Sequence, residues 1–269
     1  MNKNKKKWNI LIFPGGTENG IEIYKSLKYC KEINLFSASS DVPNQAFYLY
    51  KKNNIISDIR AHGWIEELNK VITKNKIDLI YPANSVIIDH LSANKEKINT
   101  DILLPEQSIL ELTRSKKQTI KCLKETLSTP EIYESIDQIK NYPVFIKPDK
   151  GYGAQGAKKI HSKEEIDCVN LHEFIVQEYL PGKEYTVDCF SNKHGKLLFS
   201  GGRERSRIRM ATSMHAEIIE GELQEKFMKI ANKILSKITI TGAWFFQLKE
   251  DKNNNLKLLE IDIRIAGTM

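Results

Sequence analysis

The stretch Gly242-Ala-Trp-Phe-Phe-Gln247-Leu-Lys-Glu-Asp-Lys-Asn-Asn-Asn-Leu-Lys-Leu-Leu-Glu260-Ile-Asp262-Ile-Arg264 decides how the rest of the chain is read. Side chains alternate along a strand, so Glu260, Asp262 and Arg264 would share one face, with Leu259, Ile261, Ile263 and Ile265 on the other. Ala243 to Lys249 is also strand-like, and Glu250 to Asn255 reads as a turn. A turn centred on Asn253 and Asn254 sets Gln247 opposite Glu260. Three oxygen-bearing side chains then converge beside an arginine, above an apolar underside. Hard oxygen ligands with a guanidinium suit Mg²⁺ carrying a polyphosphate. The plain alternative is an antiparallel hairpin with a solvated polar face.

Working towards the N-terminus, Val144-Phe-Ile-Lys147-Pro-Asp-Lys-Gly151-Tyr-Gly153-Ala-Gln-Gly156 ends a strand in a lysine just before a glycine-bearing loop. Such a loop can close over phosphates and offer backbone N–H groups, with Lys147 on the α- or β-phosphate. Further on, Gln177-Glu178-Tyr179-Leu180-Pro-Gly-Lys-Glu184 joins two strands by a short turn. Its backbone from Glu178 to Leu180 can meet an adenine edge, and Glu184 can accept from ribose hydroxyls. Alone, this segment is equally a β-turn with an exposed acid. Arg203, Arg205, Arg207 and Arg209 alternate, so an extended segment would set all four on one face, where like charges need intervening anions. A solvated basic edge strand is the other reading.

The first hundred residues alternate strand and helix signals: strands at Trp8–Phe13, Asn34–Ser37 and Ile77–Tyr81, and helices at Glu18–Cys30, Trp64–Lys74 and Ser85–Lys97. That is βαβ alternation and a small open parallel sheet. Pro14-Gly15-Gly16-Thr17 could cradle a phosphate at a helix N-terminus, but it is neither GxGxxG nor a Walker loop, and a structural turn fits as well. A helix from Ile109 to Leu127 leads into an α+β portion with helices near Lys163–Val169 and Glu222–Lys237. The expected domains are an α/β unit over 1–108 and α+β lobes over 109–269.

Composition excludes several classes. Apolar content of 41% and charged content of 28% describe an ordinary globular protein. The net charge of +7 suits a polyanionic small substrate as readily as nucleic acid. There is no RNA-binding signature or helix-turn-helix spacing, so no nucleic-acid partner is expected. No apolar run approaches a membrane span, and the apolar stretch after the basic start is too short for a secretory core, which makes a cytoplasmic protein the expectation. The four cysteines, Cys30, Cys122, Cys168 and Cys189, are scattered, each in an expected helix or strand, where buried reduced thiols are usual.

Taken in order, Lys116, Lys147 with its glycine loop, Gln177 to Leu180, Glu184, Gln247 and Glu260-Ile-Asp262-Ile-Arg264 resemble the ATP-grasp superfamily, most closely the branch of the carbamoyl phosphate synthase large subunit and its short single-module relatives. The resemblance covers essentially the whole chain. It implies that Lys116 and Lys147 hold ATP phosphates, that Gly153 belongs to the loop over them, and that Glu178 and Leu180 contact adenine while Glu184 takes the ribose. It makes Gln247, Glu260 and Asp262 the metal positions, for Mg²⁺ or alternatively Mn²⁺. Arg264 would face the transferred phosphoryl group or the substrate, with Arg209 of the arginine row as a second catalytic cation. Asp262 departs from the family's usual Asn, and Gln247 from an acid common there, so the ligand charge roughly balances.

The resemblance implies an ATP-dependent ligase that converts a carboxylate into an acylphosphate for attack by an amine or similar nucleophile. Chemistry of that kind needs charge neutralisation and alignment more than a protein nucleophile, which agrees with the lack of a Ser-His or Cys-His arrangement. Related modules usually continue beyond the position of Arg264. A homodimer, or a partner chain supplying a C-terminal portion, is therefore weighed, as is a nucleotide-binding or assembly protein without turnover. A dinucleotide enzyme on the N-terminal unit lacks its GxGxxG.

Overall fold

A computed structural model describes residues 7–151, 156–167, 169, 174–209 and 212–267. The chain forms two compact units, one of residues 1–104 with 267–269 and the other of residues 105–266.

In the first unit, strands β1 (Trp8–Phe13), β2 (Ile33–Ser39), β3 (Asn53–Ile55), β4 (Leu79–Pro82) and β5 (Asp101–Ile102) form one sheet in the order β3-β2-β1-β4-β5. Every neighbouring pair is parallel. The expected parallel sheet is present, with the reversal of strand order that marks doubly wound folds. Helices α1 (Glu18–Leu27), α2 (Ala46–Leu49), α3 (Trp64–Asn75) and α4 (Ser85–Ala93) connect the strands. Thr17 caps α1 by accepting from the Gly20 N–H at 3.2 Å, and Asn84 caps α4 by accepting from Ile87 at 3.0 Å. Trp64, Leu68, Val71 and Ile72 bury one stripe of α3 against Leu11, Phe36 and Ile80. The turn after β1 is tightly filled. A Cβ on Gly20 would lie 2.5 Å from the Pro14 carbonyl oxygen, so packing accounts for that glycine. Helix α1 ends at Leu27, which leaves Cys30 exposed outside it.

The second unit begins with two helices where the sequence suggested one over Ile109–Leu127. These are α5 (Gln107–Arg114) and α6 (Lys116–Leu123). They part at Ser115, which takes extended backbone and caps α6 through its hydroxyl, accepting from Gln118 at 3.1 Å. A four-stranded antiparallel sheet follows, β6 (Ile132–Tyr133), β7 (Val144–Pro148), β8 (Lys158–Ile160) and β9 (Phe174–Glu178), in the order β6-β9-β7-β8. Short α7 (Lys163–Asp167) crosses it, and Val144, Ile146, Ile160, Ile166 and Val176 form its core. The second sheet contains β10 (Glu184–Ser191), β11 (Leu197–Arg209), β12 (Thr212–Ile218), β13 (Gly242–Glu250) and β14 (Leu256–Asp262) in the order β12-β11-β10-β13-β14, all antiparallel. One face packs on α8 (Gly221–Leu235), where Val187, Phe227, Ala231, Ile234, Phe246 and Ile261 are buried. The other face is polar.

The hairpin of β13 and β14 departs from its expected register. Gln247 does pair with Glu260, but Leu248 pairs with Leu258, so Leu259 is an extra residue in a β-bulge. The turn is therefore centred one half-step earlier than expected, and the bulge restores the register. As a result Leu258, not Leu259, is the buried residue, at 1% exposure. The strand also stops at Asp262, with Arg264 beyond its end.

Candidate functional site

The polar face of the second sheet is organised in rows, because directly paired residues of an antiparallel sheet share a face. One row runs Glu260, Gln247, Thr186, Arg203 across β14, β13, β10 and β11. On one side of it lies the pair Glu184–Lys249, and on the other Asp262, Phe245, Asp188 and Gly201. The metal candidates Gln247, Glu260 and Asp262 are thus brought together on one face.

Their partners are specific. In the amide orientation that satisfies both neighbours, Gln247 Nε2 donates to Glu260 Oε1 and its Oε1 accepts from Arg205 Nη1, each at 3.2 Å. Asp262 is held between two guanidiniums, with Arg114 Nη1 at 3.3 Å from Oδ1 and Arg264 Nε at 2.9 Å from Oδ2. Arg264 also donates to the Ile265 carbonyl at 2.9 Å and lies 5.0 Å from the centroid of the Phe245 ring. The set of two carboxylates and an amide oxygen fits a hard divalent cation. Binding one would require Gln247 to turn its oxygen from Arg205 and Asp262 to exchange a guanidinium.

Lys147 projects from β7, opposite the face that carries Val144 and Ile146. It is buried, and its ammonium donates to the Leu259 carbonyl at 3.3 Å. Burial pulls its pKa from 10.5 to about 8, an effect that neighbouring Glu260 opposes and neighbouring Lys116 reinforces. Lys116, at the first turn of α6, is buried too and donates to the carbonyls of Asp149 and Gly151, both at 3.2 Å. Asp149 fixes this helix start, since its carboxylate accepts from Ser115 Oγ at 2.8 Å and from the Lys117 N–H at 2.7 Å. Among the described residues, the hydrogen bonds of both buried ammoniums go to backbone carbonyls. Two such cations side by side favour an anion.

The adenine and ribose candidates are placed as follows. Leu180 is buried, and Glu178 Oε1 accepts from the Glu131 N–H at 3.0 Å and is ion-paired with Lys257. Glu184 pairs with Arg205 through one oxygen and with Lys249 through the other, the latter at 3.0 Å. Of the arginine row, Arg203 bonds Asp188 Oδ2 at 2.8 Å, and Arg205 is taken up by Glu184. The ladder to β12 shifts register on both sides of Arg207, which is exposed, so strict alternation does not carry on from Arg203 and Arg205 to Arg207. Arg209 ends β11 opposite Thr212. Gly153 lies outside the described residues, as does Cys168. Cys122 is exposed, contrary to the expectation of buried thiols, because α6 turns it outward, whereas Cys189 is buried and its thiol pKa is pushed well up by burial.

Sequence reasoning gave no individual role to Gln177, Asp188 or Arg114. Gln177 stands on β9 opposite Phe145, is 2% exposed, and has an Oε1 with no hydrogen-bond partner among the described residues. A polar residue directly after the apolar run Phe174 to Val176, still within the strand, was its available signal. Asp188 has the same character: Oδ1 is buried without a partner among the described residues, and burial raises its pKa while Arg203 lowers it. Arg114, the partner of Asp262, comes from a helix 148 residues away in sequence, and no local pattern shows it.

Comparison with known proteins places this geometry. Residues 170–269 match a family model described as ATP-grasp in the biosynthetic pathway with Ter operon. The D-alanine–D-alanine ligase of Fusobacterium nucleatum is 22% identical over 256 residues, covering 87% of this chain and 80% of the ligase. The carbamoyl phosphate synthase large chain of Agathobacter rectalis is 24% identical over 157 residues, or 54% of this chain and 15% of that one. The crystal structure of the biotin carboxylase domain of Hydrogenobacter thermophilus 2-oxoglutarate carboxylase, a dimer in complex with MgADP, ADP and bicarbonate, superposes with a TM-score of 0.76 at 15% identity. That match covers 96% of this chain and 64% of the carboxylase chain. The chain therefore spans less than two thirds of the carboxylase and a small part of the synthase. No helix among the described residues is long and apolar enough to cross a membrane.

Proposed function

We propose that this chain, whose residues 170–269 match an ATP-grasp family model and whose fold is that of ATP-grasp proteins, is an ATP- and Mg²⁺-dependent ligase that activates a carboxylate as an acylphosphate for attack by an amine or similar nucleophile. The observation that carries the reading is the pair of buried lysines, Lys116 and Lys147, hydrogen-bonded to carbonyl oxygens beside the Glu260–Gln247 row. Such an arrangement costs folding energy and is repaid by a polyanion.

In this reading the adenine lies against Glu178 to Leu180, with the orphaned amide oxygen of Gln177 able to accept from an exocyclic amine. Glu184 reaches the ribose. Lys116 and Lys147 would hold the phosphates, and Gln247, Glu260 and Asp262 would hold Mg²⁺, which would supply charge neutralisation for phosphoryl transfer. Arg264 faces the transferred group, and Arg209, whose side chain lies outside the described residues, is the second cation of this reading. The γ-phosphoryl passes to the substrate carboxylate, the amine then displaces phosphate, and no protein nucleophile takes part. A cytoplasmic location and pairing with a second copy belong to the same reading.

One observation favours a second reading, a nucleotide-binding protein without turnover. Asp262 and Glu184 are both occupied by cationic side chains that compete with metal and ribose. Mg²⁺-dependent ADP release measured against a panel of carboxylates with amines separates the two. Release above the background of ATP and Mg²⁺ alone supports the ligase. Tight ATP binding with no release under any pair supports the second reading.

A further inference from the structure

The rows of the polar face have a direction. Along β10, Glu184 (ribose), Thr186 (in the Gln247–Glu260 row) and Asp188 (in the Asp262 row) succeed each other two residues apart, about 6.7 Å per step. The next step is Phe190, paired with Ala243 on β13 and with Phe199 on β11. A phosphoryl acceptor aligned with the nucleotide extends along this direction, beyond the Asp262 row. The surface it meets there is aromatic.

Phe190 and Phe199 are 47% and 57% exposed, on the site face rather than in the helix-packed core. The Phe199 ring is not turned away. A Cβ built on Gly201 would lie 2.8 Å from its Cζ, so the ring leans along β11 over Gly201 towards the Asp188–Arg203 pair. Phe245, buried between Asp188 and Asp262, continues the apolar floor, and the Arg264 guanidinium rests on its ring. One end of the strip thus carries the Arg264 guanidinium, which Asp262 releases when it turns to a metal in the reading above, and the other is aromatic. A carboxylate on an apolar body matches both ends, whereas a small or doubly charged acid leaves two exposed rings uncovered.

We infer that the carboxylate substrate has an apolar or aromatic body, docked on Phe190 and Phe199 with its carboxylate towards Arg264. The inference rests on the ATP-grasp ligase reading above. It is tested by calorimetry on the full chain saturated with a non-hydrolysable ATP analogue and Mg²⁺, with 3-phenylpropionate and succinate as probes. The expected result is that 3-phenylpropionate binds at least about tenfold tighter, the usual discrimination of an apolar contact. The Phe199→Ser and Phe190→Ser variants should each erase most of that preference, and Phe199→Leu should restore part of it. Equal or tighter succinate binding, binding of neither acid, or a preference unchanged in both serine variants overturns the inference. Failure of the ATP analogue itself to bind overturns the underlying reading instead, so the two failures are distinguishable.

Discussion

Replacing Lys147 with Met tests the site through two effects of opposite sign. In the apo protein the ammonium is buried and its pKa is lowered from 10.5 to about 8. That difference corresponds to about 3 kcal/mol of destabilisation at neutral pH, where both folded and unfolded chains hold the proton. Methionine keeps the stem's volume and removes the charge. It leaves the Leu259 carbonyl without its donor, an offset of about 1 kcal/mol. The net gain is about 2 kcal/mol, or roughly 4–8 °C in the melting temperature of the apo variant at pH 7. The pH dependence carries the sign. Between about 8 and 10.5 the unfolded chain holds a proton that the folded chain has released, so wild-type stability rises with pH across this window. The variant should lack that rise. With nucleotide the order reverses, because losing a charge-assisted contact worth about 1.5–3 kcal/mol weakens ATP affinity by roughly ten- to a hundredfold. Thermal melts in EDTA from pH 7 to 10.5, with calorimetry of ATP binding, read all three. A variant that melts lower than wild type and binds ATP equally well refutes both the burial argument and the phosphate assignment.

Glu260→Gln should remove most of the melting shift given by Mg²⁺ and ATP, which for wild type at a hundred times the dissociation constant is about 2.7 kcal/mol; an undiminished shift would favour a merely solvated hairpin. Hydrogen exchange across Leu256 to Asp262 should slow with an ATP analogue and Mg²⁺, and unchanged exchange there would count against the site. Asp149→Ala, which strips the Ser115 and Lys117 contacts from the start of α6, should cost about 1–2 kcal/mol in urea titration. Gly20→Ala should destabilise the first unit, since the added Cβ meets the Pro14 carbonyl at 2.5 Å; an unchanged melt would show that the turn relaxes.

The parts of this molecule legible in its sequence are those set by local period and turn chemistry. The βαβ alternation gave the parallel sheet, and alternation in the last hairpin gave a polar face with Gln247 opposite Glu260. The pairing was reached through a turn placed half a step late, because nothing in Leu256 to Leu259 announces which leucine is the extra one. Ser115 carried a readable cap signal, yet the helical pattern on both sides hid it. What the sequence could not show were contacts between distant strands. Glu184 with Arg205 and Lys249, Glu178 with Lys257, and Asp262 with Arg114 join residues whose proximity depends on the whole sheet order. For the same reason the alternation of the arginine row does not show that Asp188 and Glu184 pair with two of its members.

The bulge in β14 works as a latch. Leu259 has no partner in the ladder, and its carbonyl accepts from Lys147, which belongs to the other sheet of the same unit. The strand that carries Glu260 and Asp262 is thereby pinned to the strand that carries the buried Lys147 ammonium, through a bond of 3.3 Å. In the ATP-binding reading an arriving phosphate would compete for that ammonium and loosen this pin, leaving the Lys257–Glu178 ion pair as a second tie between the two sheets. Because Leu259 is the supernumerary residue, deleting its one codon would withdraw the socket while leaving Gln247 and Glu260 face to face.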